Sequence, residues 1–124
     1  MTMKVPKPSK TNTKSLENKA DRLFSKHITS LGQCQLQGKD TISCGGRLDP
    51  AHIVTRGIKN LRWDINGAIC ICRNHHAYYT AHPKEWETII KRFFTGIWNY
   101  VQENKNVKFH ENMQLVIADL ESWT

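Results

Sequence analysis

The side chains of this chain that could bind a metal or act as acid and base are concentrated between positions 34 and 82. All four cysteines and four of the six histidines lie in that stretch. Cys72 and His75 have two residues between them, the spacing at which one tight turn aims two side chains at a single tetrahedral zinc ion. The sequence therefore predicts a zinc site that includes this pair.

The other half of the predicted zinc site is less regular. Nine residues separate Cys34 from Cys44, whereas the two thiolates of a zinc knuckle usually have about two to four residues between them. Gly45 and Gly46 follow Cys44, however, and glycine lets the backbone pass close to a metal-bound sulfur. We expect an enlarged knuckle in which residues 35–43 loop out. The predicted zinc ligands are Cys34, Cys44, Cys72 and His75.

Cys70 is the main rival to this set of ligands, because it shares a strand face with Cys72. It has no partner at the spacing that His75 provides for Cys72, so we expect it to pack in the core. A second alternative stays open, namely that all four cysteines are unligated thiols.

Two predicted strands and a helix position these residues. Residues 48–54 alternate enough to form a strand in which His52 points away from the face of Asp49 and Ala51. Asn66-Gly67 predicts a tight reversal with positive φ into a second strand, Ala68–Cys72. A helix then starts on the paired histidines, which gives the order strand, loop, strand, helix.

This order resembles the ββα-metal fold of HNH endonucleases over roughly residues 34–98. The matching motifs are Ala51-His52-Ile53 with Arg56, Leu61-Arg62-Trp63-Asp64, Asn66-Gly67, Cys72-x2-His75-His76 and Pro83-x2-Trp86. Within that family the chain looks like the small phage-encoded branch related to NinG-type recombination nucleases. The resemblance implies an α+β fold with a ββα-metal core and a structural zinc knuckle, flanked by an N-terminal helix and C-terminal helices.

The resemblance also implies a division of labour among the polar residues. His52 is the expected general base, since a neutral imidazole can accept a proton from water. His76 is the expected ligand of a catalytic Mg²⁺ or Mn²⁺, and Asn66 is the middle residue of the motif, which orients the loop. Ala51 stands where the family commonly has a metal-binding Asp or His, so Asp49 is the expected substitute.

His82 is the remaining candidate ligand of the catalytic metal, although it is six residues beyond His76. On a straight helix the two would point about 120° apart, so the helix must end before Pro83 if His82 is to bind the metal. The equally weighted alternative is that His82 only caps the helix before the proline.

Two functions from different classes fit this pattern. The first is a DNA endonuclease that hydrolyses phosphodiester bonds with one catalytic Mg²⁺ or Mn²⁺, while a separate Zn²⁺ holds the fold. The second is a zinc-stabilised module for DNA binding or recombination that keeps the HNH scaffold without cleavage, which Ala51 in the usual ligand position favours.

The charge distribution predicts a polyanion as the partner, with nucleic acid as the first expectation and an anionic membrane as the second. Residues 1–62 contain twelve Lys and Arg against four Asp and Glu, whereas residues 63–124 contain six against seven. A basic half beside a nearly neutral half is typical of proteins that bind polyanions. The expected phosphate contacts are Lys4, Lys7, Lys10 and Lys14 of a disordered arm, and Arg56, Lys59 and Arg62 of the loop after the first strand.

Composition also bounds the location and organisation of the chain. No apolar run is long enough to span a membrane and the N-terminus lacks a signal-peptide core, so we expect a cytoplasmic protein, in a bacterial host if it is phage-encoded. We expect a disordered arm over 1–14 and one domain over 15–124, with the metal core at about 34–82 and a helical part at 83–124. Apolar spacing predicts a helix from Ser15 to Leu31, a long helix from Pro83 to Val101 and a last helix near 113–120, with a strand at 113–118 as the alternative.

Overall fold

The computed structural model describes residues 10–109 and 112–123. Within them the chain forms six α-helices, a short 3₁₀ turn and one two-stranded sheet. The elements in chain order are α1 (Lys10–Thr29), β1 (Leu48–His52), α2 (Lys59–Arg62), the 3₁₀ turn (Ile65–Gly67), β2 (Ala68–Cys72), α3 (Arg73–Ala81), α4 (Pro83–Phe93), α5 (Thr95–Asn104) and α6 (Met113–Ser122). The predicted α+β class is confirmed.

The sheet is the antiparallel pair β1 and β2. Leu48 lies opposite Cys72, and His52 lies opposite Ala68. The first strand ends two residues before the predicted end, although Ile53 N still donates to Gly67 O at 3.0 Å. All five residues of β2 are buried, which agrees with a strand covered on both faces.

Two groups of buried apolar residues cover the two faces of β2. Ile69 and Ile71 belong to the larger group, together with residues of α3, α4 and α5. Ala68 belongs to the smaller group, with Phe24 of α1 and residues of α6. Neighbouring residues of a strand point to opposite faces, so the two-stranded sheet lies between α1 with α6 on one side and the other helices on the other.

The first helix starts earlier than the sequence predicted. It begins at Lys10 rather than at Ser15, so residues 10–14 of the predicted disordered arm are helical. Lys4 and Lys7 lie outside the described residues, as does the side chain of Lys10. Among the described residues, none of the helices is long and apolar enough to cross a membrane.

The predicted long helix from Pro83 is in fact two helices. The backbone breaks at Phe94, where φ is −132° and ψ is 45°. Thr95 and Gly96 follow directly and are weak helix formers. The chain therefore changes direction here, while apolar residues of both helices still pack in the core. The last helix is confirmed as helix rather than strand.

The reversal before β2 differs from the predicted one. Asn66 and Gly67 form part of a 3₁₀ turn, and positive φ angles among the described residues occur only at Gly32, Gly38 and Gly46. The Asp64 carboxylate accepts a hydrogen bond from Asn66 N at 2.9 Å, which stabilises the turn without a left-handed residue. The prediction of positive φ at Asn-Gly was wrong.

Candidate metal centre and histidine cleft

The three predicted cysteines and the predicted histidine meet at one point. One ligand atom from each lies within 4.8 Å of the others. Nδ1 of His75 is 3.0 Å from Cys72 Sγ and 3.7 Å from both Cys34 Sγ and Cys44 Sγ. Zinc bonded to sulfur at about 2.3 Å and to nitrogen at about 2.0 Å would separate tetrahedral S and N ligands by roughly 3.5 Å. The group can therefore hold a metal ion such as zinc.

Backbone pairing brings Cys34 to this point from the far end of α1. Gln35 N donates to Cys70 O at 2.8 Å, and the side-chain oxygen of Gln35 accepts from Cys70 N at 2.8 Å. This segment thus docks along β2, while the buried Leu36 anchors it in the core. Residues 35–43 form the expected loop between the two cysteines.

Cys72 is held by its position between β2 and α3. It ends the strand and caps the helix, where its Sγ accepts a hydrogen bond from His75 N at 3.5 Å. The same turn places the His75 ring fully buried beside it. The two-residue spacing that predicted this pair therefore places Cys72 as the N-cap of α3 and also brings the two candidate metal ligands together.

The glycine pair after Cys44 lies close to the start of α3. A Cβ at Gly45 would lie 2.5 Å from the Asn74 side chain, and one at Gly46 would lie 2.6 Å from Arg73 Cβ. Gly46 also has a φ of +81°, a conformation that L side chains rarely adopt. The close approach is thus to Asn74 and Arg73 at the start of α3, and the expected approach to a sulfur stays a prediction.

The electrostatics of the group favour a bound cation. Burial by itself raises the pKa of the Cys72 thiol, but hydrogen bonds from the His75 backbone and side chain and from the Gly45 backbone lower it to about 6. Desolvation and the neighbouring sulfurs of Cys34 and Cys72 raise the pKa of Cys44 to about 12. The Cys72 thiolate is therefore stable in the group alone, whereas ionising Cys44 beside it requires a positive ion among the ligands.

Asp40 orients the histidine of this group and was missed by the sequence prediction. His75 Nε2 donates to Asp40 Oδ1 at 2.9 Å, and the Tyr79 hydroxyl donates to Asp40 Oδ2 at 2.6 Å. Burial raises the pKa of Asp40, but these hydrogen bonds outweigh it and lower the pKa overall. A carboxylate on the far nitrogen fixes which ring nitrogen faces the metal. Nothing in the local spacing marks Asp40, since its contacts are made across 35 and 39 residues.

Cys70 is not part of the group. Its side chain is buried at the centre of β2, and burial raises the pKa of its thiol. The prediction of a packing cysteine agrees with its exclusion from the ligands that come together.

His52 lies in a cleft of about 690 Å³, which we call the histidine cleft. Its Nε2 donates to the carbonyl oxygen of Arg62 at 2.8 Å, which leaves Nδ1 with the lone pair. The ring stacks on Phe24 at 5.1 Å between centroids. Burial lowers the pKa of His52 and outweighs the hydrogen bond to Arg62, so the imidazole is neutral at pH 7. The side chains that line the cleft include Asp49, His52, Arg56, Arg73, His76 and Tyr79.

His76 and Asp49 form a hydrogen-bonded pair in the same cleft. His76 Nδ1 donates to Asp49 Oδ2 at 3.1 Å. Arg47 and Arg73 also donate to Asp49, each at 3.2 Å, so both carboxylate oxygens are already occupied. Burial raises the pKa of Asp49, but the hydrogen bonds from His76 and Arg73 lower it overall. Asp49 thus orients His76, and its expected role as a direct ligand of the catalytic metal stays a prediction.

Two expected members of the catalytic site lie elsewhere. His82 caps α3 before Pro83, and its Nδ1 bonds to the carbonyl of Tyr78 at 2.7 Å while its ring stacks on that tyrosine. Asn66 is exposed and lines a separate recess near α6. A ligand role for His82 required α3 to end before Pro83, and α3 does end there, at Ala81. The His82 side chain nevertheless turns away from the histidine cleft. The alternative of a simple cap describes His82 correctly.

The predicted phosphate contact at Arg62 is corrected by the structure. Its guanidinium is only 12% exposed and binds Asp21 Oδ2 at 2.7 Å and Glu17 Oε2 at 3.2 Å. Lys59 also pairs with Glu17, at 3.1 Å. These cations join the loop after β1 to α1, because two carboxylates of that helix face them. Arg56 is 64% exposed, has a longer contact of 3.8 Å with Asp21, and lines the histidine cleft.

The chain was compared with models of known protein families, with curated proteins and with solved structures, and none of them matches.

Proposed function

We propose that the protein is a DNA endonuclease of the HNH type, in which His52 is the general base. The observation that carries this proposal is the hydrogen bond from His52 Nε2 to the Arg62 carbonyl. It fixes one tautomer and leaves Nδ1 as a proton acceptor within an arginine-lined cleft. A base held in one tautomer by a second hydrogen bond is what proton abstraction from water requires.

The reaction assigned to this cleft is hydrolysis of a phosphodiester bond. Nδ1 of His52 accepts a proton from water, whose oxygen attacks phosphorus while the bond from phosphorus to the 3′ oxygen breaks. Arg56 and Arg73 line the cleft and can neutralise charge on the phosphate, because a guanidinium contacts two phosphate oxygens at once. Stabilising the charge that develops on phosphate is normally the largest contribution to such a reaction.

His76 is the residue that would hold a catalytic divalent ion. Because its Nδ1 donates to Asp49, Nε2 is the nitrogen available to a metal, in the carboxylate–histidine arrangement common at metal sites. Water and substrate phosphate would complete the coordination, as they often do for such ions. A divalent ion there would neutralise the phosphate and the departing oxygen. Since the one protein ligand is an imidazole and Mg²⁺ prefers oxygen, we expect higher activity with Mn²⁺ than with Mg²⁺.

The zinc assigned to the cysteine group has a structural role in this proposal. Four protein side chains fill a tetrahedral site and leave no position open for substrate. The group also joins three separate segments, namely the segment after α1, the loop before β1 and the β2–α3 turn. A domain of this size gains folding energy from such a cross-link.

Plasmid nicking tests the catalytic assignment directly. We expect the wild type to nick supercoiled plasmid with Mn²⁺, and His52→Ala to lower turnover by roughly 10²- to 10⁴-fold. His27→Ala is the matched control, because His27 lies on α1 against Trp123 and outside the residues of the histidine cleft. Nicking by His52→Ala at the wild-type rate would contradict the mechanism.

A second function, DNA binding without cleavage, is favoured by one observation. Among the described residues, the cysteine group is the sole cluster of three or more metal-binding side chains, and Ala51 offers no ligand beside His52. A binding module would shift DNA equally well in the wild type and in His52→Ala. Failure of the wild type to nick with Mn²⁺, Mg²⁺, Co²⁺ or Ni²⁺, together with intact DNA binding, would select this function.

A further inference from the structure

We infer that the sugar–phosphate backbone of DNA crosses helix α1 at Arg22 and Lys26, along a recess that His52 also lines. This inference rests on the proposed function for the choice of DNA as the substrate. It adds phosphate contacts on the first helix to the contact proposed at Arg56, and these take the place of the contacts predicted at Lys59 and Arg62.

A recess of about 480 Å³ between α1 and β1 carries the inference. Arg22 and Lys26 line it from the helix, and His52 and Arg56 line it from the strand and the following loop. His52 and Arg56 line the histidine cleft as well. The recess and the cleft therefore share His52, the proposed base, and Arg56 as lining residues.

The charges along this recess are available for binding. Among the described residues, Arg22 and Lys26 have no ion-pair partner and their side chains are exposed. Asp21 also lines the recess, but it is neutralised by a bidentate contact with Arg62 at 2.7 and 3.0 Å. Desolvation opposes the ionisation of Asp21, yet the hydrogen bonds to Arg62 and Trp63 lower its pKa overall, so it is a carboxylate whose charge is already compensated.

The position of the two cations on the helix matches a linear polyanion. They are four residues apart, so they lie on the same face about 6 Å from each other along the axis. Phe24 lies between them in sequence and stacks on the His52 ring. The helix therefore presents its cations at the rim of the recess and its aromatic side chain to the base. This geometry favours phosphate contact, because exposed cationic side chains at the rim can reach the DNA sugar–phosphate backbone, whereas the more buried His52 ring cannot.

The test measures DNA binding rather than cleavage. A fluorescent DNA duplex is titrated with wild type and with Arg22→Gln/Lys26→Gln over a range of salt concentrations, without added divalent metal. Loss of two phosphate contacts should lower the slope of log affinity against log salt by about 1.8 and weaken binding roughly 10- to 100-fold at 0.1 M salt. Arg22→Lys/Lys26→Arg should restore the wild-type slope.

The matched control is Lys84→Gln/Arg92→Gln, which also removes one lysine and one arginine from exposed helical positions. Its slope should equal that of the wild type. Equal losses in both double variants, or no loss in Arg22→Gln/Lys26→Gln, would overturn the α1 surface. If only Arg22→Gln/Lys26→Gln weakens DNA binding and the wild type nicks no plasmid, the α1 contacts stand and the endonuclease proposal fails. If Arg22→Gln/Lys26→Gln binds DNA normally and the wild type nicks plasmid, the α1 contacts are wrong and the endonuclease proposal stands.

Discussion

His52 donates its Nε2 hydrogen to the carbonyl oxygen of Arg62 across 2.8 Å. The same arginine uses its guanidinium to bind Asp21 of α1, and Phe24 of that helix stacks on the His52 ring. One helix therefore fixes both the carbonyl that orients the imidazole and the surface against which the ring packs. The base of the proposed reaction is held by α1 as much as by its own strand.

The burial of His52 predicts the pH dependence of activity. Because burial lowers its pKa from the ordinary value of 6.5, the base stays neutral to a lower pH than a free imidazole. The acid limb of kcat/KM for plasmid nicking should therefore lie below pH 6.5. NMR titration of the His52 ring should give the same midpoint, and a midpoint at or above pH 6.5 would contradict the burial argument.

The same shift has a defined sign for stability. Below about pH 6.5 the unfolded chain binds a proton at this histidine, whereas the native state resists it until the lower folded pKa is reached. The unfolded state thus binds more protons, and this residue lowers the free energy of unfolding as the pH falls through that window. The effect of pH on Tm should be smaller in His52→Gln, which cannot titrate.

Replacing Asp40 tests the orientation of the zinc-binding histidine. Asp40→Ala removes the acceptor of His75 Nε2, so zinc affinity should fall by roughly 10- to 100-fold. Competition with a chromogenic chelator measures this without any activity assay. Tyr79→Phe removes one hydrogen bond to the same carboxylate and should cause a smaller loss. Asp49→Ala is the matched control, because Asp49 supports His76 and lies outside the cysteine group. Unchanged affinity in Asp40→Ala would exclude this role.

Comparison of Cys72→Ala with Cys70→Ala tests the choice between two buried cysteines of one strand. Cys72→Ala should lose the bound zinc and lower Tm or solubility, since four ligands join three segments. Cys70→Ala should keep one zinc per chain, because its sulfur lies outside the group. Elemental analysis of the purified variants measures the stoichiometry. One zinc in Cys72→Ala and none in Cys70→Ala would reverse the assignment.

Local spacing and backbone chemistry explain what could be predicted from the sequence. Cys72 and His75 are close because a helix cap brings them together, and the glycines after Cys44 are needed where the chain meets α3. The order of strand, loop, strand and helix follows from short apolar runs and turn residues. The cysteine group and the α+β class were therefore predictable, while the HNH assignment and the catalytic metal remain predictions.

Contacts between distant segments explain what was missed. Arg62 was predicted to contact phosphate because its partner Asp21 is 41 residues away in the sequence. Asp40 was not predicted as part of the site because its partners are also far away in the sequence. His82 is a local case, since its side chain is directed by stacking against Tyr78, four residues earlier, rather than by its spacing from His76. The break at Phe94 was hidden because the apolar pattern continues across it.

Gly46 and Gly96 provide a matched test of backbone strain beside the cysteine group. Gly46→Ala places a side chain at a φ of +81° and 2.6 Å from Arg73 Cβ, so it should lower the free energy of unfolding by at least roughly 1–2 kcal/mol and lower Tm by several degrees. Gly96→Ala meets nothing within 4 Å and lies in α5. It should leave stability unchanged or raise it by up to about 1 kcal/mol. Thermal unfolding of both zinc-loaded variants measures the difference. Equal Tm values would show that the left-handed turn after Cys44 is not needed for the approach of this loop to α3.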